Sequence, residues 1–485
     1  MKKNIAVIGS GFSALAASCY LAQAGNRVTI YEKNQDIGGR ARQLKKEGFT
    51  FDMGPTWYWM PDVFERFFGD FGKNPSDYYS LEKLDPAYRV YFGKEEYITI
   101  GDTLEKIIQT FEKVEPGSSI KLKKFITAAQ NNYKIAIKDL VYRPGVSPLE
   151  LITPKTAKKI DQFFSTIRKE VRAEFKNPKL ISILEFPVLF LGAKPSKTPA
   201  FYNFMNYADF GLGTFHPKKG MYSVVEGIAT LAQELGVVIK TGQNVDKIKV
   251  ANKETTGLLV NGQEIPADII LSGADYYHTE TLLDKEFRQY SESYWQKKTF
   301  APSALMFYVG FDKRIKNVTH HSLFFDVNFE AHSQAIYDIP EWPDKPLFYA
   351  SFPSKTDTSF APEGKEAGIF LIPIAPGLED IPEIREEYFE KIMKRLEKIT
   401  DQEVKKYVIF KKSFCIKDFI SEYNSYKGNA YGLANTLLQT AFLRPKLKSC
   451  KVKNLYFTGQ LTVPGPGVPP ALISGKLAAG LIQKK

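Results

Sequence analysis

The stretch "NIAVIGSGFSALAASCYLAQAGNRVTIYEK", residues 4–33, constrains the fold of this chain more than any other. A short run rich in β-branched residues leads into the turn "GSGFSA", residues 9–14. A helical pattern follows, ends at Gly25, and gives way to a second strand pattern. Strand, G-x-G-x-x-A turn, helix and strand form the βαβ unit that binds dinucleotides. The sequence therefore predicts an α/β fold with a parallel sheet.

Each residue type in this turn has a physical role. Gly9 permits the tight exit from the strand, Gly11 leaves the backbone open to a pyrophosphate, and Ala14 allows the helix to pack closely. Free N–H groups at the helix N-terminus would then face the phosphates. Glu32 lies 21 residues after Gly11, at the end of the second strand. Its carboxylate is placed to accept hydrogen bonds from ribose hydroxyls.

A second glycine loop, "IGGRARQ", follows at residues 37–43. Its two consecutive glycines, the second of which is Gly39, remove side chains from the loop, and Arg40 and Arg42 offer cations near a pyrophosphate. A simple NAD-binding domain does not need this loop, whereas the longer FAD would run past it. The loop favours FAD, and a basic surface turn is the alternative.

Two further segments indicate where such a cofactor would meet a substrate. In "FTFDMGPTWYWMPDVFERFF", residues 49–68, a rigid Gly-Pro turn precedes Trp57, Tyr58 and Trp59. Three consecutive large rings cannot all face one core, so we expect at least one at a cavity. In "TGQLTVPGPGVPPALISG", residues 458–475, glycines permit unusual backbone angles before a helix. Gly467 and Val468 would place that helix N-terminus at a polar edge of a flavin ring.

Length and composition limit the remaining interpretations. A chain of 485 residues predicts two or three domains. Its net charge of +12 indicates affinity for an anionic membrane face, and an ordinary solvated protein surface is the alternative. Nucleic acid is not expected, because the lysines are scattered and no arginine-rich tract appears. No apolar run reaches about 18 residues, so no membrane-spanning helix is predicted.

Cysteine and histidine usage argues against disulfides and metals. Cys19, Cys415 and Cys450 are far apart in sequence, which predicts a reducing compartment. The five histidines show no metal-binding spacing, so no metal site is expected. His320 and His321 are adjacent, and we interpret them as structural.

The middle of the chain predicts two further regions. Residues 103–200 are mostly helical and basic, and "LISILEFPVLFLGAKP", residues 180–195, is the most apolar stretch. It predicts either a buried helix or a loop and helix that dip into lipid. Residues 303–413 alternate short strands with proline-rich turns, which suggests a mixed sheet. Aromatics make up 14% of the chain, which fits a large apolar cavity, a membrane-facing patch or a ring-rich core.

Nearly the whole chain resembles the bacterial-type carotenoid desaturases, the phytoene desaturase family of FAD-dependent oxidoreductases. The resemblance rests on the segments above and on "FHPKKGMYSVVEGIATLAQELGV", "ADIILSGAD", "SKTDTSFAPEGKEAGIFLIPIAP" and "YNSYKGNAYGLANTLLQTAFLRP". The N-terminal motifs are shared with amine oxidases, whereas "TDTSFAPEGKE" and "PGPGVP" are narrower. The stretch "GPTWYWMPDVFERFF" looks most like phytoene desaturases of flavobacteria-like organisms.

The resemblance implies a set of cofactor-binding residues. The pyrophosphate, ribose, adenine and flavin contacts would come from Gly9, Gly11, Ser13, Ala14, Glu32, Gly39, Arg40, Gly54, Pro55, Thr56, Val245, Gly459, Gln460, Gly467 and Val468. Related flavin oxidases often have an acid after the glycine at 459, where this chain has Gln460, which weakens an amine oxidase interpretation. No catalytic residue is predicted, and Trp57 and Trp59 are expected to line the substrate site.

The implied architecture is a Rossmann-like FAD-binding domain of the amine oxidase/phytoene desaturase type, with α+β content in a second domain. We expect residues 1–95, 215–290 and 445–485 to form the FAD domain and 291–444 a mixed-sheet substrate domain. Residues 96–214 would form a helical subdomain, membrane-facing in one interpretation. The expected location is the cytoplasm, peripherally on the inner face of the cell membrane, and the oligomeric state is left open.

The implied activity is removal of hydrogens from C–C bonds of a C40 polyene, with phytoene to lycopene as the first choice. Alternatives are 3,4-desaturation of a hydroxylated or cyclic carotenoid, and carotene isomerisation. An FAD amine oxidase and a non-catalytic flavin- or lipid-binding protein are the remaining rivals. Flavin would take a hydride and leave an allylic, cation-like state, while a base that the sequence does not identify takes a proton.

Overall fold

The structure is a computed structural model that describes residues 2–151, 153–157 and 159–484. Within them, strands β1 to β19 in chain order are Asn4–Ile8, Arg27–Tyr31, Gln43–Lys46, Phe49–Asp52, Leu81–Lys83, Tyr88–Gly93, Glu96–Ile100, Phe215–Pro217, Val238–Lys240, Val245–Ala251, Glu254–Val260, Gln263–Pro266, Ile269–Ser272, Ser303–Phe311, His321–Phe324, Phe348–Ser351, Glu366–Ile374, Val408–Phe414 and Leu455–Phe457.

Helices α1 to α16 in chain order are Phe12–Gln23, Pro61–Gly69, Leu104–Val114, Ser118–Lys138, Pro154–Ala157, Ile160–Phe164, Ile167–Glu174, Pro178–Glu185, Phe204–Phe210, Met221–Glu234, Tyr276–Thr281, Glu292–Gln296, Phe329–Tyr337, Pro382–Thr400, Ile416–Tyr423 and Val468–Gln483.

A five-stranded parallel sheet in the order β19-β13-β1-β2-β9 carries the glycine turn. Helices α1 and α16 pack against each other so closely that a Cβ on Gly475 would lie 2.5 Å from the carbonyl oxygen of Ser13. A Cβ on Gly273, after β13, would likewise lie 2.7 Å from the Cβ of Ala14. Small residues at these positions therefore bring the C-terminal helix onto the N-terminal βαβ unit, which confirms the predicted α/β fold.

A seven-stranded mixed sheet in the order β18-β14-β17-β16-β15-β6-β7 forms the second layer. Its pairs are antiparallel except β15 with β6. The predicted mixed sheet extends beyond 303–413, because β6 and β7 come from residues 88–100. The predicted domain boundary at residue 95 would divide the β6–β7 hairpin, and the domain boundaries stay a prediction. Helix α14, which the strand pattern did not indicate, buries Phe389, Ile392 and Leu396 against this sheet.

Helices α3 to α9 form the region between residues 104 and 210. The apolar stretch within it is α8 followed by a short 3₁₀ segment. Leu180, Ile183, Leu184 and Val188 have no exposed surface and belong to the main core cluster. Of the two predicted alternatives for this stretch, these side chains adopt the buried one, since their apolar area is already removed from water. The side chains of residues 189–191 lie outside the description.

Every helix within the described ranges falls short of the length or apolar character that crossing a bilayer requires.

Candidate functional site

A long pocket follows the carboxyl edge of the parallel sheet. It encloses about 1660 Å³, including the open space at its mouth. Thirteen of the fifteen residues predicted to hold a cofactor line it: Gly9, Gly11, Ser13, Glu32, Gly39, Arg40, Gly54, Pro55, Val245, Gly459, Gln460, Gly467 and Val468. Ligands of parallel α/β sheets bind at this edge, where strand ends and helix N-termini meet.

The two predicted cofactor residues outside the pocket lining are Ala14 and Thr56. Ala14 is fully buried and packs against Gly273, so its role is to seat α1 on the sheet. Thr56 lines a second, apolar cavity instead. Ala14 thus has the close-packing role that the glycine turn predicts, and the Thr56 side chain belongs to the wall of the second cavity.

The glycine turn leaves the backbone open to the pocket. Gly11 is the N-cap of α1, and no side chain caps that helix. A Cβ built on Gly11 would meet nothing within 4 Å, and one built on Gly39 would lie 3.5 Å from the Cα of Gly11. The two glycine loops therefore touch each other beside an uncapped helix N-terminus, which is a favourable place for phosphate oxygens.

Glu32 is buried at the end of β2 and holds the turn in place. One carboxylate oxygen accepts hydrogen bonds from the backbone N–H and the hydroxyl of Ser10, at 2.9 and 2.7 Å. The other accepts from the backbone N–H of Asn34 at 2.9 Å. Because each carboxylate oxygen has two lone pairs, the second oxygen keeps room for a ribose hydroxyl.

The two arginines of the second loop differ in their environments. Arg40 lines the pocket and donates to the Ser425 hydroxyl at 2.8 Å, while its buried Nε has no partner within the described residues. Burial lowers the pKa of Arg40, and the nearby Asp275 carboxylate opposes that shift. Arg42, predicted to face the pyrophosphate, instead pairs with Glu422 at 2.8 Å. Arg40 is thus the cation of this loop that faces the pocket.

The Gly-Pro turn at 54–55 is held against the second glycine loop. A Cβ on Gly54 would lie 2.2 Å from the carbonyl oxygen of Arg40, so no larger residue fits there without movement. From the opposite side Gly467, with φ +114°, caps α16 and brings that helix N-terminus to the pocket. Two helix N-termini, those of α1 and α16, therefore border the pocket.

Several pocket residues were not predicted from the sequence. Asp275 ends the segment "ADIILSGAD" and follows β13, so its place after a parallel strand was an available signal. Burial raises the pKa of Asp275, with Arg40 opposing. His278 and Tyr423 also line the pocket, and burial lowers the pKa of His278 to about 4. No local pattern marks these two, because tertiary packing alone brings them to the pocket.

A second cavity, which encloses about 1650 Å³ including its opening, adjoins the first. The two share the residues Gly54, Pro55, Met306, Leu371, Tyr431, Gly467 and Val468. No carboxylate, lysine or arginine is among the described residues that line the second cavity. Aromatic and aliphatic side chains dominate its wall, so it suits an apolar ligand that reaches the shared residues.

The aromatic triplet after Pro55 divides between this cavity and the core. Trp57 and Trp59 line the cavity, and the Trp59 indole N–H donates to the Thr214 hydroxyl at 2.8 Å. Tyr58 is buried on the other side, stacked on Phe64 with its hydroxyl 2.9 Å from that of Tyr79. In an extended segment successive side chains point to opposite sides, so Tyr58 faces away from Trp57 and Trp59.

The residues present fit FAD. The glycines provide a cradle that side chains would fill, the uncapped N-terminus of α1 and Arg40 offer donors to phosphates, and Glu32 offers an acceptor to a ribose. The adjoining apolar cavity begins at the opposite end of this donor set, beside Gly54 and Gly467. A cofactor with a dinucleotide body and a ring system that meets an apolar substrate matches both ends.

Comparisons with known proteins agree with this arrangement. The model of the flavin containing amine oxidoreductase family matches residues 12–483. A carotenoid 3,4-desaturase of Haloarcula japonica is 41% identical over 98% of this chain and 97% of its own length. A zeta-carotene-forming phytoene desaturase of Myxococcus xanthus is 31% identical over 98% of this chain and 93% of its own.

Solved structures share the fold. An oxidoreductase from Methanosarcina mazei superposes with a TM-score of 0.64 at 16% identity, over 99% of this chain and 100% of the other. Putrescine oxidase bound to putrescine gives a TM-score of 0.62 at 14% identity and covers all of both chains. With pocket, cavity and relatives in agreement, the chain belongs to the flavin-containing amine oxidoreductases and, within them, to the FAD-dependent carotenoid desaturases of the phytoene desaturase family.

Proposed function

We propose that this enzyme removes hydrogens from C–C bonds of a long carotenoid. The observation that carries the proposal is the uncharged cavity that shares a wall with the dinucleotide pocket. FAD, when bound, supplies an acceptor for a hydride. Gly9, Gly11, Glu32 and Arg40 would hold its dinucleotide body, and Gly54, Pro55, Gly467 and Val468 would border its ring.

The chain's own contribution is orientation and exclusion of water. Trp57, Trp59 and Phe186 form apolar walls, so a polyene exchanges its own hydration for ring contacts at roughly 25 cal/mol per Å² of buried apolar area. Aromatic faces also stabilise positive charge, by about 0.5–2 kcal/mol per ring. A cation-like carbon chain formed on hydride loss would therefore be stabilised by the wall itself.

The substrate class is the finer part of the proposal, and two observations favour 3,4-desaturation of a hydroxylated carotenoid over desaturation of phytoene. The first is the 41% identity to the Haloarcula 3,4-desaturase, against 31% to the Myxococcus phytoene desaturase. The second lies on α13. Ser333 and Tyr337, one helical turn apart, both line the apolar cavity, and their buried hydroxyls have no partner within the described residues.

A buried hydroxyl without a partner costs about 1–3 kcal/mol, which a ligand hydroxyl would recover. Phytoene is a hydrocarbon and offers none. We therefore assign Ser333 and Tyr337 as the pair that would bind a hydroxyl near the end of the substrate. A cyclic or hydrocarbon end group would leave both side chains unpaired.

The test compares two carotenoids in one assay. Purified enzyme with FAD receives phytoene or a hydroxylated acyclic carotenoid in liposomes, and products are resolved by chromatography and absorption spectrum. We expect new double bonds in the hydroxylated substrate, and at least about a tenfold loss of kcat/KM for it in Tyr337→Phe. Tyr388→Phe, which removes a buried hydroxyl bonded to Pro343 far from both cavities, is the matched control.

Each result has one interpretation. Conversion of phytoene alone would show that the enzyme is a desaturase whose substrate is phytoene and not a hydroxylated carotenoid. Formation of peroxide from amines would favour an amine oxidase. Conversion of a carotenoid without any electron acceptor would favour an isomerase. FAD that no carotenoid reduces would favour a non-catalytic binding protein.

Peripheral membrane association belongs to the same proposal, because a carotenoid partitions into lipid. Exposed apolar side chains include those of Val146, Leu149, Phe164, Leu438 and Leu443, which are 39–76% exposed. We call these five the apolar patch.

Contacts connect the segments that carry the members of the patch, and Phe163, next to Phe164, stacks on Phe201 with ring centroids 4.7 Å apart. A Cβ on Gly145 would lie 3.0 Å from Val463 and 3.5 Å from Ala441, and the Tyr202 and Thr440 hydroxyls are 2.9 Å apart. Val463 belongs to the loop whose residues 466–470 line the apolar cavity.

Apolar burial together with the +12 net charge would hold this face on an anionic bilayer. Flotation with anionic liposomes at low and high salt tests it. We expect binding at low salt that is weakened in the Leu149→Ser/Phe164→Ser double variant. The control is Ile339→Ser, which removes an equally exposed apolar side chain outside the patch. Absence of wild-type flotation at low salt rejects membrane docking.

A further inference from the structure

Two consecutive hydrogen bonds connect Thr56, Tyr349 and His321, close to the place where the two cavities meet. The Thr56 and Tyr349 hydroxyl oxygens are 2.8 Å apart, and the Tyr349 hydroxyl is 2.6 Å from Nδ1 of His321. Thr56 and Tyr349 both line the apolar cavity. Pro55, the residue before Thr56, lines the dinucleotide pocket as well. These hydrogen-bonded side chains therefore begin beside the position where a substrate would lose its hydride and proton.

The bond between Tyr349 and His321 joins a protonated phenol to a neutral imidazole. Burial raises the pKa of Tyr349, so the phenol keeps its proton and donates it. Burial, together with the nearby His216, holds the pKa of His321 well below its usual range, so the imidazole is neutral. In the tautomer that accepts from the phenol, Nδ1 is the acceptor and Nε2 carries the hydrogen. A neutral base thus lies behind the phenol, away from the substrate.

His321 belongs to a cluster of three imidazoles. The rings of His320 and His321 are 4.5 Å apart, and those of His216 and His320 are 4.6 Å apart. Nε2 of His216 is 3.3 Å from a carboxylate oxygen of Asp357, whose side chain is 13% exposed. The cluster therefore reaches from behind the cavity wall to a partly exposed carboxylate.

Trp57 covers the other face of His321. The two rings are nearly parallel, at an angle of 8° with centroids 4.0 Å apart. A protonated imidazole in this position would gain a cation–π interaction with the indole. Trp57 thereby connects the cavity wall with the histidine cluster.

Among the described residues that line the apolar cavity, none offers a carboxylate or a basic nitrogen without a hydrogen-bond partner. His332 is the only histidine among them, and both of its ring nitrogens are engaged. Its Nε2 donates to the Pro373 carbonyl at 2.7 Å, and its Nδ1 accepts from the Leu347 N–H at 2.8 Å. Burial also lowers its pKa to about 4. His332 is therefore a structural residue, whereas the Tyr349–His321 pair is oriented to accept a proton.

We propose that Tyr349 is the catalytic residue that removes the substrate proton, and that His321 acts through it as the proton's destination. This inference rests on the proposed desaturase function. One C–H bond breaks with its electron pair, which leaves as hydride for the flavin. The adjacent C–H bond leaves its electron pair on carbon to form the new C=C bond. Its proton goes to the Tyr349 oxygen while the phenolic proton moves to Nδ1 of His321.

The electrons and protons balance in this step. The substrate is oxidised by two electrons, the flavin is reduced by two, and one proton ends on His321. A weakly basic imidazole is sufficient, because a C–H bond beside a cation-like carbon is strongly acidic. Asp357, whose pKa is held well below its usual range by His216, Ser359 and the Lys219 N–H, stays ionised at the far end of the histidine cluster, where its negative charge favours a proton on the imidazoles.

The test measures flavin reduction in a single anaerobic turnover of the holoenzyme with a carotenoid in liposomes. The variants are Tyr349→Phe and His321→Gln. Tyr91→Phe is the matched control: it lies on the strand next to His321, and its buried hydroxyl donates to the Asn317 carbonyl at 2.6 Å. General acid–base groups contribute about 10²–10⁴-fold. We expect at least a tenfold slower net reduction in both variants, with FAD content and melting temperature like those of the control.

A solvent isotope effect separates a proton relay from a structural role. The phenolic and imidazole hydrogens exchange with D₂O, so the wild type should slow in D₂O and Tyr349→Phe should lose that effect. Wild-type rates in both variants, or an unchanged isotope effect, would overturn the relay and leave the desaturase intact. If no carotenoid reduces the wild-type flavin, the proposed function fails and the relay falls with it. His321 does not line the cavity, so His321→Gln leaves the cavity lining unchanged. If Tyr349→Phe loses FAD, the flavin reduction rate of His321→Gln tests the relay instead.

Discussion

Replacement of Gly11 by alanine separates what the fold needs from what the cofactor needs. The backbone at Gly11 has φ −69° and ψ 169°, an extended conformation that any residue adopts. A Cβ there would meet nothing within 4 Å. The apoprotein should therefore tolerate alanine, and the lower entropy of the unfolded chain should stabilise it by about 0.4–1 kcal/mol.

Binding of FAD should respond in the opposite direction. Gly11 lines the pocket beside Gly39, so the added methyl group occupies the space where a pyrophosphate would approach the backbone. Overpacking of this kind costs about 1–3 kcal/mol. Since 1.4 kcal/mol is about tenfold in affinity, the dissociation constant of FAD should rise by about five- to 150-fold.

Thermal unfolding with and without FAD, together with a fluorescence titration of FAD, measures both effects. Gly480→Ala is the matched control, because it also has open space around a Cβ but lies in α16 away from both cavities. We expect Gly480→Ala to bind FAD like the wild type and to gain about 1 kcal/mol of helix stability. Unchanged FAD affinity in Gly11→Ala would refute the placement of the pyrophosphate. An apoprotein less stable than wild type would refute the open space around a Cβ at Gly11.

Three other changes test the site and its surroundings. Glu32→Gln should weaken FAD binding in a titration, because a neutral amide replaces the carboxylate that accepts from Ser10; equal affinity would contradict a ribose role. Trp57→Ala and Trp59→Ala should lower turnover while FAD stays bound, and unchanged turnover in both would contradict their placement at the substrate. Burial raises the pKa of Asp209 from 3.8 to about 8, so its stabilising contribution is complete below pH 4 and is lost as the pH rises to 8. Melting curves from pH 4 to 8 should show the wild type losing stability relative to Asp209→Asn; parallel curves would show that Asp209 titrates normally.

The N-terminal half of the cofactor pocket was predictable because its residues are local in sequence. A strand, a glycine turn and an acid at the end of the next strand fix one another within about 30 residues of a βαβ unit, through hydrogen bonds such as that from Ser10 to Glu32. Asn261 and Gly262, both at positive φ, likewise form the tight turn between β11 and β12 from a local Asn-Gly pair. Arg42 shows the limit even here, since its partner Glu422 lies far along the chain.

The sequence by itself determined the dinucleotide fold and favoured FAD, because these depend on short-range patterns of glycine and charge, and its resemblance to the carotenoid desaturases implied an apolar substrate. Only the tertiary structure decided which rings line the cavity, which arginine faces the pocket and what His321 contacts. His321 stands next to His320 in a pattern that predicts no site, yet its hydroxyl partner comes from strand β16 and its stacking partner from residue 57. Contacts between segments so far apart are set by how the sheets and helices pack, and no local pattern records them.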